Sequence, residues 1–158
     1  MKDEIASKLE TLREYVKLLR GYQSCKLKDL KNDFTLRGAV ERYMELALEC
    51  TLDIGEMIIS AERLRKPESY REIIEILGEK DILSKEFAEE FAPAAEFRNV
   101  LVHGYADIDL DELYKYLQNN LKDFDKFSMF IPKFRITKNL SRLNRLLFRV
   151  SYYCINLI

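Results

Sequence analysis

An all-α chain, folded as an antiparallel bundle of four to five helices, is what this sequence predicts, and three observations carry the prediction. Apolar residues recur at spacings of three and four along most of the chain, no stretch alternates as a strand would, and glycine and proline together make up only 8 of 158 residues. A composition of 47% hydrophobic and 34% charged residues fits a globular chain and excludes disordered or collagen-like ones. A chain of this length buries roughly 70% of its unfolded surface, enough for a core without disulfide or metal.

The elements follow in order. Ile5, Leu9, Leu12, Val16 and Leu19 form one stripe of a first helix over about residues 3–23, with Gly21 as an end signal. The polar segment from Lys26 to Asn32 reads as a connection. Thr35 stands as the cap of a long second helix carrying Val40, Tyr43, Ala47, Leu48, Leu52, Ile54, Ile58 and Ile59, and Pro67 marks its end. Ser69 and Glu72 have capping-box spacing ahead of Ile73, Ile74, Ile76 and Leu77, with Gly78 in the place of a C-terminal glycine. Ser84 opens a fourth helix in which Pro93 either introduces a kink or starts a new helix at Ala94; it should stop at Gly104. Asp109 caps a last clear helix with Leu110, Leu113, Tyr116, Leu117 and Leu121 facing inward.

Charge divides the chain. Residues 1–125 hold 19 Lys/Arg and all 27 Asp/Glu, a net of −8, whereas residues 126–158 hold 7 Lys/Arg and no acid, so the overall −1 describes neither part. We therefore divide the chain into a helical domain over 1–127 and a basic, apolar extension over 128–158, where Leu140, Leu143, Leu147 and Val150 have amphipathic spacing. Cys25, Cys50 and Cys154 are scattered, as in a protein of the reducing cytoplasm, and the charged N-terminus does not read as a signal peptide. The longest apolar stretch, near Leu146–Ile158, contains Arg149 and Asn156 and is too short and polar to span a bilayer, so no membrane partner is expected.

A single histidine, His103, removes most catalytic schemes. There is no HExxH, CxxC or acidic calcium loop, and no phosphate-binding or dinucleotide-binding glycine pattern, so neither a metal nor a cofactor is expected. Asp107, Asp109, Asp111 and Glu112 are better explained by helix capping and dipole compensation than by metal binding. What remains is the polar end of an otherwise apolar helix, with Arg98, Asn99, His103 and Tyr105 within eight residues. Arg98 and His103 are five apart, about 140° around an ideal helix, and Gly104 would let His103 leave the last turn and swing towards Arg98.

Arg98-x4-His103-x-Tyr105 resembles the signature of the HepT family in the HEPN superfamily. The likeness extends to the long helix from Gly38 to Ile59, to Pro67-x-Ser69-Tyr70 with the Ile-rich helix after it, and to the block from Phe97 to Ile108, covering about residues 3–127. Gly104 departs from the family, where an acidic residue is frequent, and the extension has no recognised counterpart. The resemblance implies a HEPN-type bundle that forms a homodimer through its motif helices. It also implies the toxin half of a two-gene module whose antitoxin is an MntA-type minimal nucleotidyltransferase, with metal-independent RNA cleavage by Arg98 and His103 on a substrate such as tRNA or mRNA. Tyr105 is then the site to which the antitoxin transfers AMP.

The residues can support such chemistry. RNA carries its own nucleophile, the 2′-hydroxyl, so cleavage needs proton transfers and charge stabilisation; histidine is the residue type for the first and the arginine fork for the second. One histidine cannot act as base and acid together, but a twofold dimer supplies two. Asn99 could hydrogen-bond ribose or phosphate, or merely cap carbonyls. On the long helix, Glu49 and Asp53 share a face and Arg42 lies two turns earlier; they either support the Arg98 site or form a solvated, ion-paired surface. The acidic body opposes RNA binding, which keeps a second reading open: a non-catalytic HEPN adaptor, or substrate-binding partner, of a nucleotidyltransferase.

Overall fold

The computed structural model describes residues 2–103 and 108–132. Tyr105, Gly104, Asp107 and most of the basic extension lie outside them. The described residues form helices and turns with no strand.

Helix α1 (Lys2–Gly21) buries its predicted stripe, from Ile5 to Leu19, against the long helix α3 (Phe34–Ala61). Between them, the segment expected as a connection forms a short helix, α2 (Leu27–Asn32). Its single buried side chain, Leu30, gave no periodic signal, and the Asp29 carboxylate takes the backbone N–H of Lys26 at 2.8 Å to start the turn. The cap of α3 is Asp33, not Thr35: its carboxylate accepts from the N–H groups of Thr35 and Leu36 at 2.9 and 3.0 Å.

Both α3 and α4 (Tyr70–Glu79) end in the same way, and neither end is the one predicted. Arg63 (φ 52°) and Asp81 (φ 54°) take the left-handed conformation. The next residue then donates back into the helix, Leu64 N to Ile59 O at 3.0 Å and Ile82 N to Leu77 O at 2.9 Å, which satisfies carbonyls that would otherwise be orphaned. Helix α3 therefore stops well before Pro67. Gly78 is freed from the terminal role expected of it and instead lies inside α4, where a Cβ would come within 2.6 Å of the Ala88 Cβ.

The start of α4 is as predicted: the Ser69 hydroxyl accepts from Glu72 N at 3.2 Å, and the Glu72 carboxylate accepts from Glu68 N at 2.6 Å. That N–H first, and Arg65 after it, hold the Glu72 carboxyl below its ordinary range. Ser84 caps α5 (Lys85–His103) through Phe87 N. Pro93 neither breaks α5 nor restarts it. The proline is exposed, so the hydrogen bond it cannot donate is lost on the solvated side of the helix.

Asp109 caps α6 (Leu110–Lys115) through Asp111 N and Glu112 N. This helix continues through one wider, π-type turn (Tyr116–Asn120) into residues 121–132. There Leu117 O accepts from Gln23 Nε2 while Gln118 Nε2 donates to Gln23 O, both at 2.9 Å, so the wide turn is where the chain between α1 and α2 is tied on. Arg20 and Asp125 add an ion pair between α1 and the same helix. Phe87 and Phe91 of α5 meet Phe124, Phe127 and Phe130 at ring separations of 5.4–6.2 Å. Ile131, four residues on in the same helix, is fully buried. Among the described residues no helix is long and apolar enough to cross a membrane.

Candidate functional site

Helix α5 carries three of the predicted residues and displays them differently. Arg98 is directed into the protein, its side chain only 15% exposed. Burying a guanidinium requires partners, because an unpaired charge loses its hydration without compensation. Two come from other helices. Arg98 Nη1 donates to the Tyr70 hydroxyl at 3.1 Å, and the guanidinium carbon lies 4.9 Å from the centre of the same ring. Arg98 Nη2 stands 3.8 Å from the Glu49 carboxylate of α3. The buried Nε of Arg98 has no hydrogen-bond partner among the described residues.

His103 is the last residue of α5 and is exposed. It remains helical instead of swinging out at Gly104, and Leu101, partly buried against the core, holds the last turn in place. Within one chain, Arg98 and His103 therefore point about 140° apart and are separated by about 7.5 Å along the axis. Glu96, Asn99, Val100 and His103 share the exposed side of α5, and Val100 is one of the few large apolar side chains left in solvent, at 39%.

Asn99 also lines a groove of about 330 Å³ between α3, α4 and α5, together with Glu56, Ser69 and Tyr70. Of the three supporting residues expected on α3, only Glu49 reaches Arg98. Asp53 faces α1, where Lys8 Nζ donates to it at 2.5 Å; that hydrogen bond raises the Lys8 pKa above its ordinary value against the opposing effect of burial. Arg42 pairs with Glu45 at 2.9 Å and is largely exposed. Helical spacing aligned the three on one side of α3, but α3 is long enough that successive turns meet different neighbours. Asp111 pairs with Lys31, and Asp109 caps α6.

Tyr70 was not singled out as a site residue. Nothing local marks it among nine tyrosines, since its contact with Arg98 spans 28 positions. Its place in Pro67-x-Ser69-Tyr70, just after the capping Ser69, marks a helix start and a family likeness but not a contact with Arg98.

The sequence pattern described as Ribonuclease HepT-like matches residues 12–131, about three quarters of the chain and nearly all of the bundle. The chain belongs to the HepT-like ribonuclease family. Two relatives are similar over most of this HepT-like chain. The tRNA nuclease HepT of Aphanizomenon flos-aquae is 29% identical over 133 residues, covering 84% of this chain and 90% of its own. The mRNA nuclease HepT of Shewanella oneidensis is 26% identical over 127 residues, covering 80% and 95%. Among solved structures, the tri-AMPylated Shewanella oneidensis HEPN toxin in complex with its MNT antitoxin superposes with a TM-score of 0.76 at 26% identity, covering 84% of this chain and 99% of that one. The HepT-like match ends at residue 131, beside the last described turn.

Proposed function

We propose that this protein is the toxin of a toxin–antitoxin module, an endoribonuclease acting as a homodimer and silenced by a nucleotidyltransferase antitoxin that transfers AMP to Tyr105. The carrying observation is Arg98, an arginine held largely buried on the motif helix of a chain whose relatives are named tRNA and mRNA nucleases. A buried cation keeps more of its field than a solvated one and needs little reorganisation as charge builds on a phosphate.

In this reading a His103 takes the proton from the 2′-hydroxyl, whose oxygen attacks the adjacent phosphorus. The bond to the 5′-oxygen breaks, and the leaving oxygen receives a proton from the second protomer's His103. The products are a 2′,3′-cyclic phosphate and a 5′-hydroxyl; Arg98, which faces away from His103 of its own chain, is assigned to the pentavalent phosphorane and has to meet it across the dimer. The nucleophile belongs to the substrate, so no metal-bound water is needed. The exposed face with Asn99, Val100 and His103 supports a dimer in which two such helices face one cleft, since that arrangement covers Val100 and supplies the second histidine.

The test is purified protein incubated with tRNA and with mRNA in EDTA, beside Arg98→Ala and His103→Ala. Cleavage should fall about 10²- to 10⁴-fold in His103→Ala, the range for loss of a general acid–base group. No cleavage by any of the three would favour the adaptor reading, which the acidic body and the Glu49 carboxylate beside Arg98 support. Cleavage by a strictly monomeric protein would remove the dimer from the mechanism. Tyr105→Phe should remain toxic and escape silencing; if the antitoxin still modifies and neutralises that variant, another residue takes the AMP.

A further inference from the structure

We infer that Tyr70 is the positioning residue of Arg98, the group that aims its fork at substrate phosphate, while Glu49 is the exchangeable anion that occupies the fork until RNA arrives. The inference rests on the reading of Arg98 as a phosphate-stabilising residue.

A long arginine side chain loses rotamer freedom when it is fixed. A fork that must meet charge developing in a transition state is useful only if it is already in place. Tyr70 restrains the guanidinium twice, through the hydroxyl that accepts from Nη1 and through the ring face at 4.9 Å. It does so as a neutral group, so it does not compete with phosphate for the charge. Glu49 does compete, but its contact is long at 3.8 Å and its carboxylate is 44% exposed, so an incoming phosphate can replace it.

Tyr70 can serve as a fixed point because α4 cannot drift. The Ser69 and Glu72 contacts hold its first turn. A Cβ on Gly55 would lie 2.4 Å from Ile73 Cγ2, so α4 also sits close against α3. Arg71, beside Tyr70, reaches Glu96 on α5 at 3.1 Å, two residues before Arg98.

Full-length protein labelled with ¹⁵N-arginine tests this directly. Beside the Nε–H signals of Arg37 and Arg71, which donate to Glu41 and Glu75, wild type should show a further restrained, slowly exchanging Nε–H, buried and assigned to Arg98 by its absence in Arg98→Lys. In Tyr70→Leu that signal should merge with those of the mobile arginines while the backbone spectrum stays folded. On tRNA, kcat should fall about tenfold in Tyr70→Phe, the cost of one charge-assisted hydrogen bond, and about a hundredfold in Tyr70→Leu, with KM nearly unchanged. If Tyr70→Leu fails to fold, Tyr70→Phe decides through the same signal and the same kcat. An Arg98 Nε–H that stays restrained in the variants, or a kcat equal to wild type, overturns the inference. Should wild type cut no RNA at all, the ribonuclease reading fails separately, and the arginine spectrum still decides whether Tyr70 restrains Arg98.

Discussion

Helices α1 and α3 meet differently from α4 and α5, and the difference shows which part of the bundle is built for position. The first seam is filled by bulk: α1 contributes Leu12, Val16 and Leu19, all at most 2% exposed, and Tyr15 packs against Tyr43 of α3 with ring centres 6.3 Å apart. The second seam, where α4 also buries Ile73, Ile74, Ile76 and Leu77, has a close point made of small residues. Gly78 abuts Ala88, and Ala92 and Ala95 continue the same buried face of α5 at 0% and 1%. Large side chains separate helix axes and leave room to repack, whereas a glycine against an alanine brings backbones close and sets their distance. The close seam brings Tyr70 to Arg98; the bulky seam provides stability and, at its edge, the half-buried Lys8–Asp53 pair.

The first seam is most sensitive at Leu12. Leu12→Ala should cost about 2–5 kcal/mol of stability, as deletions of fully buried leucines do, while cleavage at a temperature where the variant stays folded remains near wild type. Urea titration and an RNA cleavage assay on the same sample check both halves. Gly78→Ala should reverse the balance. Overpacking costs about 1–3 kcal/mol, less than the leucine deletion, but α4 must move with Tyr70 on it, so cleavage should fall about tenfold in protein that is still folded. Equal activity losses in the two variants would mean that the seams do not differ in function.

Glu49→Gln sharpens the comparison at the site itself. It leaves the packing alone and removes the anion opposite Arg98, so RNA should bind about threefold tighter, in keeping with the sub-kcal worth of part-exposed pairs. A fluorescence-anisotropy titration in the His103→Ala background reads this without turnover.

The smallest expected effect is in pH, and its sign differs between the seams. The Lys8 pKa is raised in the folded protein, so the stability it contributes is complete below its unfolded value and disappears as pH rises through the folded one, above about pH 10. The Glu72 pKa is lowered, so its contribution is complete above the unfolded value and is lost as pH falls below about 4. Thermal melts should show the alkaline loss diminished in Lys8→Met and the acid loss diminished in Glu72→Gln, with neither variant changing the other limb.

Legibility in the sequence followed the range of each interaction. The stripe from Ile5 to Leu19, the Ser69 and Asp109 caps and the inward row from Leu113 to Leu121 were readable because each involves residues within a turn or two of one another. Helix ends at Arg63 and Asp81 were not, because a left-handed arginine or aspartate carries no local mark and the nearby Pro67 and Gly78 offered stronger but misleading ones. Leu30 and Ile131 escaped for a related reason: one buried residue makes no period, and an acid-free surface conceals a core face.

The candidate site divides along the same line. By itself the sequence determined the helical class, the inward faces, and the placing of Arg98, Asn99 and His103 near the end of one helix, since periodicity and motif spacing are properties of neighbours along the chain. Only the tertiary structure decided that Arg98 turns inward to Tyr70 and Glu49 while Asp53 is engaged by Lys8 and Arg42 by Glu45. Those pairings depend on how closely α3, α4 and α5 approach. That approach is set by the small residues between them, Gly55 and Gly78, whose meaning appears only once the opposing surface is in place.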